Sequence, residues 1–139
     1  MKFHFQIKSR SSELATLQTT LLHLGKKWAL SSKTVVELNL ILDELASNIV
    51  EHGDPEKESE IDIKLTKKDT VITLVVTDEG PPFDPTITPP VDIALPLEER
   101  KCGGLGIHLI RRFSDNCRYK RVKNKNVLTL KKILPEECR

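Results

Sequence analysis

Three places along the chain combine residue types and spacings that could do chemistry. Glu44, Asn48 and His52 follow one another at intervals of four, so on a helix they stack along one side. A carboxylate and a carboxamide one turn apart can hold a hydrated Mg²⁺ and orient a nucleophile. A solvated helix face with an Asn near its end accounts for the same residues. Asp78-Glu79-Gly80 sets a carboxylate just past the apolar run VITLVVT of residues 71–77. Such a carboxylate can accept from an exocyclic amine such as that of adenine, or it can bond its own backbone in an Asx-type turn. Gly103-Gly104-Leu105-Gly106 precedes a further apolar stretch. Glycines ahead of a helix let backbone N–H groups approach phosphate oxygens; a flexible hinge is the plainer alternative. No Gly-Lys-Ser/Thr follows them and no strand directly precedes them, so they form neither a P-loop nor a dinucleotide fingerprint.

Elements that would position these residues can be read from the apolar periodicity. Residues 2–8 alternate, with Phe3, Phe5 and Ile7 on one face, as a half-buried strand does. Ser11-Ser12 offers caps for a helix through about Leu30, with the stripe Leu14, Leu17, Leu21, Leu24 and Trp28. Ser31-Ser32 offers the next cap, for a helix from about Lys33 to His52 that ends at Gly53-Asp54-Pro55. Ile61, Ile63 and Leu65 alternate, and a turn at Lys67-Lys68-Asp69 joins them to residues 71–77 as a hairpin. Six of the eight prolines lie between Pro81 and Pro96, which excludes a regular helix or central strand there. That stretch reads as one long connection, a lid over about 84–102. A third helix follows from Ile107 to about Ser114, then strands at 117–122 and 127–132 around a turn at Asn124-Lys125-Asn126. The predicted fold is α+β: a single domain, 1–139, built as a two-layer sandwich with a mixed sheet covered on one face by about three helices.

Composition narrows the partners. The 139 residues are 38% hydrophobic and 30% charged with a formal net charge of +2, a globular balance that favours neither nucleic acid nor membrane. Cys102, Cys117 and Cys138 are odd in number and widely spaced, which implies neither a disulfide framework nor a zinc site and fits a reducing cytoplasm. The opening MKFHFQIKSR lacks the apolar core of a signal peptide. His4, His23 and His108 have no metal-ligand spacing. Residues 118–132 hold seven Lys/Arg and no acid, which a solvated hairpin face explains, and only Tyr119 is there to stack on a base.

Taken together and in order, the three motifs carry a family resemblance. Asp43-Glu44-Leu45-Ala46-Ser47-Asn48-Ile49-Val50-Glu51-His52 resembles the N-box of the GHKL ATPases. Asp78-Glu79-Gly80-Pro81-Pro82-Phe83-Asp84-Pro85 resembles their first glycine box, and Gly103-Gly104-Leu105-Gly106-Ile107-His108-Leu109-Ile110-Arg111 their last. The tail from Tyr119-Lys120-Arg121 to Asn126-Val127-Leu128-Thr129-Leu130 is similar to the closing hairpin of stand-alone bacterial members, the anti-sigma-factor serine-protein kinases. Two features depart from the wider superfamily. Pro82 stands where many members carry a second glycine, although the Pro-Phe-Asp-Pro continuation recurs in the anti-sigma branch. Asp43 stands where sensor histidine kinases place His.

The resemblance implies a Bergerat ATP-binding fold, ATP and Mg²⁺ as cofactors, and transfer of phosphate to a serine or threonine. It implies Glu44 as catalytic base and Asn48 as the metal ligand. It implies nucleotide contacts from Asn48, His52, Asp78, Gly80, Phe83, Gly103, Gly104, Leu105 and Gly106, with Asp78 on the adenine amine. The partners it implies are an anti-anti-sigma STAS-domain protein and a sigma factor, with a possible homodimer. Two other readings remain beside it: an ATP-binding regulator that sequesters a partner without phosphotransfer, and a detached ATP-binding domain of a histidine kinase.

Overall fold

The computed structural model describes residues 1–53, 56, 58–84 and 110–134. β1 (Lys2–Lys8) alternates as its sequence predicts, with Ile7 buried and Phe3 and Phe5 half-buried on one face. The chain then passes through a 3₁₀ turn, Ser11–Glu13, into α1 (Leu14–Lys27). Ser11 and Ser12, predicted as caps, lie inside that turn, and no side chain caps α1. Glu13 already has helical dihedrals, so the chain tightens into the helix instead of entering from an extended cap residue. α2 (Ser32–His52) starts as predicted: the Ser31 side chain accepts from the Thr34 N–H at 3.1 Å.

The two helices meet where Gly25 faces Val35. A Cβ added to Gly25 would lie 2.5 Å from Val35 Cγ2, and a valine in a helix has little freedom to turn its methyls away. Gly25→Ala should therefore destabilise the fold by roughly 1–3 kcal/mol, outweighing the 0.5–1 kcal/mol or so that alanine adds to an exposed helix interior. Urea unfolding measures this, and an unchanged or raised midpoint would show that the helix contact yields.

β2 (Glu60–Lys68) and β3 (Val71–Asp78) form the first hairpin, β4 (Asn116–Val122) and β5 (Lys125–Ile133) the second. The sheet order is β1-β2-β3-β5-β4. Its fold class is the predicted α+β sandwich, but the expected mixed sheet is corrected: every pairing among the described strands is antiparallel. β4 runs in the direction of β3, as a long crossover connection would deliver it, yet β5 is inserted between them, so the parallel pair is never adjacent.

Both hairpin turns also differ from the sequence expectation. The first is at residues 69–70, with Asp69 at φ 54°, and the second at residues 123–124, with Lys123 and Asn124 at φ 49° and 64°. Two successive positive φ values match the twist of a two-residue hairpin. Asn126 consequently sits inside β5, not in the turn, and faces the core side of the sheet.

That side is covered by the helices. Ile61, Ile63, Leu65, Ile72 and Leu74 of the sheet and Ile41 of α2 are fully buried, and Trp28 joins the core as predicted. The basic hairpin is a solvated face with one exception. Lys132 follows Leu128 and Leu130 in the period-two pattern, so it points inward, where it ion-pairs with Glu37 of α2 and donates to the Phe113 carbonyl at 2.9 Å. Of the predicted third helix, residues 110–113 are described and are helical. The lid, apart from Asp84, lies outside the described residues. No helix among the described residues is long and apolar enough to cross a membrane.

Candidate functional site

A cleft opens between the C-terminal half of α2 and the ends of β3 and β5. Its apolar lining comes from Leu45 and Ile49 of α2, Val76 of β3 and Leu128 of β5. Each strand residue is there because period two brings it to the core face beside a helix turn. The cleft's empty volume, the open mouth included, is about 470 Å³.

Five of the sequence-predicted residues meet at this cleft: Asn48, His52, Asp78, Gly80 and Phe83. Residues far apart in sequence thus converge because the end of α2 crosses the end of β3. The predicted base, Glu44, lies on α2 one turn before Asn48, half-buried and outside the cleft lining. Gly103, Gly104, Leu105 and Gly106 lie outside the described residues, as do Cys102, Cys138 and His108.

Asp78 is 6% exposed, and its Oδ1 accepts from the Gly80 N–H at 2.9 Å and from Asn126 Nδ2 at 3.1 Å. The first bond is the Asx-type turn weighed from the sequence; it coexists with a place at the cleft, because it uses only one oxygen. Gly80 permits the turn, since a Cβ there would stand 2.9 Å from Asp78 Oδ1. The His52 and Phe83 rings stack at 4.2 Å with 23° between their planes, and together they give the cleft an aromatic wall. The His52 side chain thus closes onto the segment after β3, while Gly53 occupies the end of the helix in an extended conformation.

Electrostatics single out Glu44. Burial pushes its carboxyl above the ordinary range, and the neighbouring charges of Asp43 and Glu51 push it the same way. A carboxyl raised in this way is a stronger proton acceptor than an exposed glutamate.

Asn48 supplies the test for a metal. It is 4% exposed, and its Nδ2 is the one buried side-chain nitrogen or oxygen among the described residues without a hydrogen-bond partner. A buried amide is rarely left with an idle end, and the two ends of an amide are assigned from their partners. With that end turned to present oxygen, the carboxamide fits a single protein ligand to a hard cation that keeps phosphate and water oxygens for its other positions. No cluster of three His, Cys, Asp or Glu suited to a metal exists among the described residues, so a magnesium ion here would be held mainly by what it accompanies.

Sequence reasoning missed Asn126. It is 7% exposed, lies at the cleft, and bonds Asp78, Pro81, Phe83, Tyr119 and Arg121. The signal was present: an Asn on the inward phase of a strand whose next inward residues are Leu128 and Leu130. Ending the turn two residues late hid it.

The model for the histidine kinase-like ATPase domain matches residues 7–132. The chain belongs to this family. Membership of a histidine kinase-like ATPase domain family implies ATP binding. Among curated relatives, it is 24% identical to the serine-protein kinase RsbW of Bacillus cereus over 140 residues, covering 98% of this chain and 88% of that protein. The same figures hold for RsbW of Bacillus anthracis. Among solved structures, the RsbU and RsbW domains of a Mycobacterium tuberculosis protein share the fold with a TM-score of 0.67 at 13% identity, over 96% of this chain and 32% of that longer one. The catalytic domain of the histidine kinase ThkA shares it with a TM-score of 0.55 at 15% identity, over 98% of this chain and 99% of that one. The similarity to the RsbW serine-protein kinases extends along nearly the whole length of this chain.

Proposed function

We propose that this chain is a protein-serine/threonine kinase that uses Mg²⁺-ATP, phosphorylates an anti-anti-sigma protein of the STAS type, and holds a sigma factor inactive by binding it. The observation that carries the reading is the α2 row: a half-buried Glu44, its carboxyl raised above the ordinary range by burial, four residues before the cleft-lining Asn48. A domain that only binds nucleotide has little use for such a base. Similarity to serine-protein kinases along 98% of the chain favours a hydroxyl over an imidazole as acceptor.

In this reading, Asp78 accepts from the adenine amine, and the His52–Phe83 wall confines the base. Asn48 holds the metal, which when bound neutralises charge on the phosphates. Glu44 accepts the proton of the substrate hydroxyl as that oxygen attacks. Gly103, Gly104, Leu105 and Gly106 are assigned to the phosphates through their backbone N–H groups. A new phosphate would add roughly −1.5 to −2 charges to the contact surface of the STAS partner, which is enough to switch partners.

Intact-mass analysis tests the proposal. The protein is mixed with Mg²⁺-ATP and, in turn, each STAS-domain protein encoded in the same genome. A gain of one phosphate on one of them, stable to acid, is the expected result. An acid-labile gain would identify a histidine acceptor instead. If no protein gains mass while ATP still binds, the chain is a nucleotide-dependent sequestering regulator.

A further inference from the structure

Asn126 is the residue on which the cleft is assembled, yet no step above uses it. It stands directly opposite Asp78 across the β3–β5 ladder. Its Nδ2 donates to Asp78 Oδ1 at 3.1 Å and to the Pro81 carbonyl at 2.9 Å. Its Oδ1 accepts from the Phe83 N–H at 3.3 Å, from Arg121 Nη1 at 3.2 Å and from the Tyr119 hydroxyl at 2.5 Å. Turning the amide over would set its oxygen against a carboxylate and a carbonyl, and its NH₂ against the Phe83 N–H and the Arg121 guanidinium, which only donate, so the orientation is forced. Both donor hydrogens and the acceptor oxygen are used within the protein. Asn126 therefore has nothing left for a ligand and acts through Asp78.

We propose that Asn126 is a specificity-determining positioning residue: by donating to Asp78 it holds that carboxylate as an acceptor toward the cleft, and so selects a purine with an exocyclic amine over one with a carbonyl at the same place. The inference rests on the ATP-binding reading and deepens it.

Asp78 Oδ1 is occupied by two N–H donors, from Gly80 and Asn126. Oδ2 makes no hydrogen bond with a described residue and is the oxygen left for a ligand. Its lone pairs complement the 6-amino group of adenine. Guanine would bring its 6-oxo group there, acceptor against acceptor, in a site that leaves both desolvated. Sites built to hydrogen-bond a substrate N–H reject analogues lacking it by factors of roughly 10⁴–10⁵ at their best.

The arrangement depends on Asn126 being a donor. In Asn126→Asp an oxygen replaces the nitrogen against Asp78, and two carboxylates at that separation do not both ionise. The proton that the pair then shares lies on the Oδ1 side and takes charge away from Asp78, so Oδ2 accepts less strongly from the adenine amine and repels a guanine oxygen less. In Asn126→Ala the carboxylate keeps only the Gly80 N–H and is free to turn.

The test is competition of ATP and of GTP against a fluorescent ATP analogue, with Mg²⁺, on the full chain, each variant's melting temperature being measured alongside. The ATP-to-GTP affinity ratio should fall by roughly tenfold or more in Asn126→Asp, and by less in Asn126→Ala. Tyr119→Phe removes a donor to Asn126 Oδ1 and leaves the Asp78 contact, so it should weaken both nucleotides and keep the ratio. A ratio unchanged in either Asn126 variant that still melts cooperatively overturns the proposal, as does a Tyr119→Phe ratio that falls as far as theirs. A wild-type chain that binds neither nucleotide removes the ATP reading itself, and this inference with it.

Discussion

Glu44→Gln should leave ATP affinity nearly unchanged while slowing phosphate transfer by roughly 10²–10⁴-fold. The amide keeps the shape of the side chain and its half-buried place on α2 but cannot take a proton. The pH profile of the wild-type chain carries the same information. As the proposed base, Glu44 would work only when ionised, and burial first, then Asp43 and Glu51, hold its carboxyl above the ordinary range. The acid limb of the transfer rate should therefore fall at higher pH than an exposed glutamate would give, and it should vanish from the residual rate of the variant.

Stability should move the other way. A carboxyl raised in the folded state binds its proton more tightly folded than unfolded, so stability declines as pH rises through the interval between the two values. Above that interval the ionised Glu44 is a net burden on the fold, and Glu44→Gln should melt higher; below it, where both forms are protonated, the advantage should disappear. A gain in stability with loss of transfer is the pattern of a residue kept for chemistry. Full transfer in the variant would rule out Glu44 as the base. A lower melting temperature at neutral pH would contradict the account of its environment.

The elements were legible because each is written in one strong period. Leu38, Leu42 and Leu45 specify α2 whatever surrounds it, and Phe3, Phe5 and Ile7 specify β1. That Asn48, Asp78 and Gly80 stand together at the cleft was legible for a different reason: each breaks the local pattern of an apolar element. What was not legible depends on neighbours far along the chain. The hairpin turn at 123–124 offers no glycine, and Asn124-Lys125-Asn126 reads as a better turn than Lys123-Asn124 until the register with β3 decides it. The antiparallel sheet likewise follows from β5 lying between β3 and β4, a choice that no local window contains. Asn126 and Lys132 were both discounted as parts of a polar hairpin, because their partners, Asp78 and Glu37, lie 48 and 95 positions earlier.

Lys132→Met should destabilise the fold by about 3–5 kcal/mol, the loss expected when one partner of a buried ion pair is removed. The side chains of Lys132 and Glu37 are only 9% and 14% exposed, so the remaining carboxylate would lose its cation and gain little water in exchange. The Phe113 carbonyl at the end of the helical segment 110–113 would lose its donor at the same time. Removing both charges is a different matter. In Lys132→Met with Glu37→Leu, apolar groups of similar size fill the space, and most of the stability should return, because the desolvation of two charges offsets much of what their attraction supplies. Urea unfolding of the two single variants and the double variant measures the coupling. A double variant as unstable as Lys132→Met would place the loss in packing or in the Phe113 bond, not in the stranded charge. Recovery of stability would leave a second question for the same double variant, since Lys132 ties residues 110–113, which follow the glycines at 103–106, to the N-terminal half of α2. If that tie serves only the fold, transfer should recover along with stability. If it also serves the proposed phosphate contacts of residues 103–106, transfer should stay low in a chain that is otherwise restored.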